Sequence, residues 1–66
     1  MKFAERLKEL RTSKGLTYEQ IAIAIGAHRT SISLWERGIK GITDTHIVAL
    51  AKFFGVTAGY LLGLED

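Results

Sequence analysis

Residues 17–38, TYEQIAIAIGAHRTSISLWERG, constrain the fold more than any other stretch of this chain. Apolar residues recur at helical spacing on both sides of Gly26. Ala22, Gly26 and Ile32 are spaced so that one helix can cross the other closely, and glycine supplies the positive φ that a tight turn needs. Two short helices joined in this way have a known physical use, which is to lay the second helix into the major groove of DNA. The rest of the chain reads as the scaffold for that unit.

The scaffold is helical throughout. Proline is absent and apolar residues keep a helical period, so the pattern predicts an all-α, five-helix domain. The first helix covers about residues 2–13, with Phe3, Leu7 and Leu10 inward, and Gly15 and Leu16 fold back over its end. Thr17 caps the second helix, with Gln20 placed to complete a capping box, and Ile21 and Ile25 face the core. The third runs from Arg29 to Arg37 with Trp35 inward, and 39–41 form a loop. Thr43 caps the fourth helix, whose buried stripe is Ile47, Leu50, Ala51 and Phe54, and Thr57 caps a short fifth over 58–62. No repeat or linker interrupts the chain, so residues 1–66 are expected to form a single domain.

Small size sets the terms of stability. A chain of this length buries only about 60% of its unfolded surface, so good packing or dimerisation has to supply the rest. With no cysteine, neither a disulfide nor a thiolate metal site can help. No apolar run approaches the roughly 20 residues of a membrane span, and MKFAERLKEL lacks the apolar core of a signal peptide, which points to a cytoplasmic protein. The net charge of +2 is uneven: residues 1–40 carry +4 and residues 41–66 carry −2. A basic first half suits a polyanion, and the milder second half suits contact with protein.

On the third helix, at about 100° per residue, Arg29, Ser33, Arg37, Thr30 and Leu34 share one side, while Ile32 and Trp35 lie on the other. Arg, Thr and Ser are the residue types that read base edges and phosphates, and no acid is placed on this face. An arginine at a helix start opposes the dipole, a small cost that favours a functional reason for Arg29. A guanine edge is the first choice for its contact and a phosphate the second. Leu34 is open between a thymine methyl, a dimer contact and the edge of the core. No carboxylate pair, nucleophile–base set or metal-ligand cluster can be assembled, so no enzymatic role, cofactor, metal or small-molecule ligand is expected. His46 reads as a solvated helix residue.

The words FAERLKELR, GLT–EQIA, IGA, SIS–WERG, ALAKFFGV and YLLG together resemble the phage Cro/CI-repressor (XRE-type) helix-turn-helix family over nearly the whole length. The resemblance implies a five-helix DNA-binding domain that acts as a dimeric transcriptional regulator on operators with two-fold symmetry. It implies base reading by Arg29, Thr30 and Leu34, to which the polar face adds Ser33. It implies phosphate contacts by Thr17, Tyr18, His28, Arg37 and the 39–41 loop with Lys40, and a structural ion pair between Arg11 and Glu36. Four positions depart from the family pattern, one of them near Ile42, where the usual proline after the recognition loop is replaced. Tyr18 stands where glutamine is usual, His28 where a Ser or Thr cap is usual, and Leu34 where a long polar residue is frequent.

Ile23, Ile39, Ile42, Phe53 and Tyr60 give more exposed apolar surface than a monomer needs. The dimer contact is expected around Val56, Thr57 and Tyr60, with Phe53 close by. Double-stranded operator DNA and a second copy of the chain are therefore the expected partners, with repression the expected sign. Two alternatives stay open: an interaction module of antitoxin type using the Ile23/Phe53 surface, and the DNA-binding piece of a longer repressor.

Overall fold

The computed structural model describes residues 2–65, and every expected helix is present. They are α1 (Lys2–Ser13), α2 (Tyr18–Ile25), α3 (Arg29–Glu36), α4 (Asp44–Phe54) and α5 (Ala58–Leu62), and no strand occurs among the described residues. Local chemistry sets most of the boundaries. Thr17 accepts from the Gln20 N–H at 3.1 Å while the Gln20 side chain accepts from the Thr17 N–H at 2.8 Å, so two otherwise orphaned donors at the start of α2 are satisfied. Thr43 and Thr57 accept from the N–H groups of His46 and Tyr60 in the same way.

The turn between α2 and α3 depends on Gly26, whose φ of 72° lies in the left-handed region. The Ala22 carbonyl then accepts from the N–H groups of both Gly26 and Ala27, so the chain reverses within a few residues. α3 ends one residue earlier than expected, with Arg37 as its cap, because Gly38 at φ 71° lets the Ile39 N–H return to the Leu34 carbonyl at 3.0 Å.

Every helix contributes to one core. Leu7, Ile21, Ile32, Leu50 and Leu61 have no exposed surface, and Trp35 is buried against the edge of Phe3 with ring centroids 6.5 Å apart. Burying each such aliphatic side chain contributes about 1.5–3 kcal/mol. Since five helices converge here, the core sets how α3 is presented. α3 packs on α1 and α2, and α5 packs on α1 and α4. No described helix is long and apolar enough to cross a membrane.

The structure corrects several expectations about exposure. Ile42 is half-buried and packed against the core, where Trp35 draws the 39–41 loop inward by donating its indole N–H to the Gly41 carbonyl at 3.2 Å. Tyr60 is also half-buried, because the Arg6 guanidinium lies 4.3 Å from its ring centroid and donates to its carbonyl. His46 is not a solvated residue: its ring is 5.3 Å from that of Trp35, and its Nδ1 lies 3.1 Å from the Thr43 hydroxyl. Ile25 and Leu10 pack on the rim of the core and are not fully buried. Ile23, Ile39 and Phe53 are exposed as expected, and Val48, Leu62 and Leu64 join them.

Candidate DNA-binding surface

α3 presents a polar edge over an apolar base. Ile32 and Trp35 anchor it in the core, while Arg29, Thr30 and Arg37 are exposed and Ser33 and Leu34 are half-buried. Arg29 and Thr30 have no hydrogen bond or ion pair among the described residues, so both side chains are free to meet a ligand. The expectation that this face carries no acid is corrected here: by helical angle Glu36 falls beside Arg29 and would bring an acid to it. The fold removes it: the Glu36 carboxylate is only 3% exposed and takes two hydrogen bonds from Arg11, at 2.6 and 3.0 Å. The face therefore keeps its positive sign because α1 neutralises its one acid.

Arg11 is itself held on three sides. Its Nη1 donates to the Leu16 carbonyl at 3.2 Å, and its guanidinium carbon lies 4.5 Å from the centroid of the Tyr18 ring. The hydrogen bond to Glu36 raises its pKa above the ordinary guanidinium value, against the opposing effect of burial. This gives Tyr18, the first residue of α2, a second environment that sequence reasoning missed. Its ring is packed against the core rim as a platform for Arg11. Six residues of chain, a glycine turn among them, separate the two side chains, so helical periodicity carried no signal of their contact.

The remaining candidate phosphate groups lie around the two helix starts and the exit loop. Thr17 and His28 are the caps of α2 and α3. The Thr17 hydroxyl is occupied by the Gln20 N–H, whereas His28 makes no side-chain capping bond, leaving its exposed ring available. Arg37 is exposed at the far end of α3. Lys40 bends back, its ammonium donating to the Ser31 hydroxyl at 3.2 Å, so its charge sits on the Leu34 flank of α3 and not beside Arg29. The loop that carries it is fixed by the Ile39 and Lys40 N–H groups, both donating to the Leu34 carbonyl. The candidate dimer residues are elsewhere, on the α4–α5 turn: Phe53 is exposed, Val56 packs on the core, Thr57 caps α5, and Tyr60 lies under Arg6.

Two helices crossing at a left-handed glycine, with an exposed basic and hydroxyl-bearing edge on the second, make this a helix-turn-helix domain. The sequence profile of the helix-turn-helix family matches residues 7–61, and the chain belongs to that family, of Cro/CI-repressor (XRE) type. Among curated proteins it is 45% identical over its whole length to the HTH-type transcriptional activator BcrR of Enterococcus faecalis, of which it spans 32%. It is 36% identical over 97% of its length to YobD of Bacillus subtilis, an uncharacterised HTH-type transcriptional regulator, of which it spans 57%. The chain thus covers about a third to somewhat over half of these relatives. Among solved structures, the restriction-modification controller protein C.AhdI of Aeromonas hydrophila superposes with a TM-score of 0.83 at 37% identity over 91% of both chains. The P22 c2 repressor, solved with a synthetic operator, superposes with a TM-score of 0.91 over 98% of both chains; at 23% identity it speaks for the fold.

Proposed function

We propose that this chain is a sequence-specific DNA-binding transcriptional regulator, acting in the cytoplasm as a homodimer on a two-fold symmetric operator. The observation that carries this reading is the polar edge of α3, with the Arg29 and Thr30 side chains unpaired among the described residues and the helix anchored beneath them by Ile32, Trp35 and the Arg11–Glu36 pair. A guanidinium free to form two parallel hydrogen bonds matches the O6/N7 edge of guanine, and the apolar Leu34 suits a thymine methyl. Arg29, Thr30, Ser33 and Leu34 read bases in this account. Thr17, Tyr18, His28, Arg37 and Lys40 position the DNA backbone, with Lys40 exchanging its bond to Ser31 for a phosphate. The second copy docks through Phe53, Val56, Thr57 and Tyr60, so that two α3 helices enter successive turns of one groove.

Repression follows if the bound domain simply occludes a promoter. Activation is the second reading, favoured by the activator name of the 45% identical relative. Selection from a random pool of duplexes tests the proposal. An enriched inverted repeat, with half-site centres about 34–36 Å apart along the helix, is the expected result. A pool that stays unenriched with folded protein contradicts DNA reading, and a single unrepeated half-site contradicts the dimer. The position of the selected repeat relative to promoters then separates repression from activation.

A further inference from the structure

The two helices of the DNA-reading unit are joined covalently at one end only. The turn at Gly26 links the last residue of α2 to the start of α3, and Ile21, Ala22, Ile32 and Trp35 pack the two helices together in the core. At the opposite end, Tyr18 is the first residue of α2 and Glu36 the last of α3. Arg11 spans them. Its guanidinium rests on the Tyr18 ring at 4.5 Å and grips the Glu36 carboxylate with two hydrogen bonds. The unit is therefore closed at both ends, by the glycine turn and by the Tyr18–Arg11–Glu36 stack.

We infer that Tyr18 is a positioning residue for base reading, whose ring fixes the angle of α3 through Arg11 and Glu36. The inference rests on the proposed reading of DNA by α3 and goes beyond the phosphate contact assigned to the Tyr18 hydroxyl. Its leverage is geometric. An eight-residue helix is about 12 Å long, so a tilt of roughly 5° about the turn displaces its far end by about 1 Å. Hydrogen bonds to bases hold only within about 0.5 Å of their preferred length. Ser33 and Leu34 lie further from the turn than Arg29 and move more, so loosening the stack blurs the bases they meet before the base that Arg29 meets.

The test measures discrimination, not affinity alone. Wild type, Tyr18→Phe and Tyr18→Leu are titrated with the selected duplex and with duplexes changed at one base pair per half-site, at one salt concentration. Tyr18→Phe keeps the ring face and loses the hydroxyl, so it binds every duplex more weakly by the same few-fold factor, as a lost backbone contact does. Tyr18→Leu keeps an apolar side chain and loses both the ring face and the hydroxyl. Its discrimination falls by roughly tenfold, about the value of one base pair, at the positions read by Ser33 and Leu34, and falls less where Arg29→Ala relaxes the site. If Tyr18→Leu does not fold, Tyr18→Met is read by the same ratio. Uniform weakening in Tyr18→Leu or Tyr18→Met, or lost discrimination in Tyr18→Phe, overturns the inference and leaves the proposed function standing. A wild type that fails to discriminate at all overturns both.

Discussion

Replacing Arg29 with alanine weakens binding to the selected operator by about 5- to 150-fold per half-site, the value of one bidentate base contact, and by the square of that factor when both subunits bind. The effect is confined to recognition. Arg29 is exposed at the first position of α3 and has no partner among the described residues, so its removal breaks nothing in the fold. It also removes a cation from a helix N-terminus, where the dipole disfavours positive charge. The Tm should therefore move by no more than about 3 °C, the range expected for surface changes in a domain of this size. Arg29→Lys separates charge from geometry. Lysine keeps the attraction to phosphate but cannot fork onto a guanine edge, so binding to random duplexes stays close to wild type while the selected site loses its preference at one position per half-site. Anisotropy titrations against selected and scrambled duplexes measure both arms. Equal loss on both duplexes would assign Arg29 to backbone contact alone.

The second large effect is on stability. Arg11→Met leaves the Glu36 carboxylate, 3% exposed, without its cation, and such an orphaned buried charge costs about 3–5 kcal/mol. A chain of 66 residues has a total stability of only about 3–10 kcal/mol, so the variant is expected to be largely unfolded at 37 °C. Denaturant titration checks the size of the loss. Changing both partners together, Arg11→Met with Glu36→Leu, removes the orphan and should recover much of it. The pH dependence has a definite sign. The pair raises the Arg11 pKa, so its contribution is fully present below the ordinary guanidinium value and is lost only as pH climbs through the raised one. From the arginine side, stability is therefore constant across the neutral range. A mild loss on Arg11→Met, matching a surface substitution, contradicts the assignment of this pair as the brace of α3.

The helices could be read from the sequence because their ends are encoded locally. A Thr cap with Gln three residues on, or a glycine after an apolar stripe, states its own geometry, and α2, α4 and α5 begin and end where those residues stand. Periodicity also told inside from outside for α3, since Ile32 and Trp35 lie opposite Arg29 and Thr30. What periodicity cannot state is which distant group a half-buried side chain meets. Tyr60 is covered by Arg6, which is 54 residues away in the chain. His46 lies on Trp35 across the loop, Tyr18 supports Arg11 across a turn, and Lys40 reaches back to Ser31. Each of these polar or aromatic residues is at the rim, where helical angle permits either water or a neighbour. Glu36 shows the consequence for function. Its angle would put an acid on the DNA-reading edge, and only the contact with α1 takes that charge away.

The most direct test of the central claim is to map the surface that meets DNA. Backbone amide resonances of the protein titrated with the selected duplex should shift most at Thr17 and Tyr18, along α3 from His28 to Arg37, and at Lys40, with a separate set at Phe53 to Tyr60 only where binding drives dimerisation. Shifts centred instead on Ile23 and the exposed side of α4, with Arg29 and Thr30 unmoved, would contradict the account and make the apolar surface the site of action.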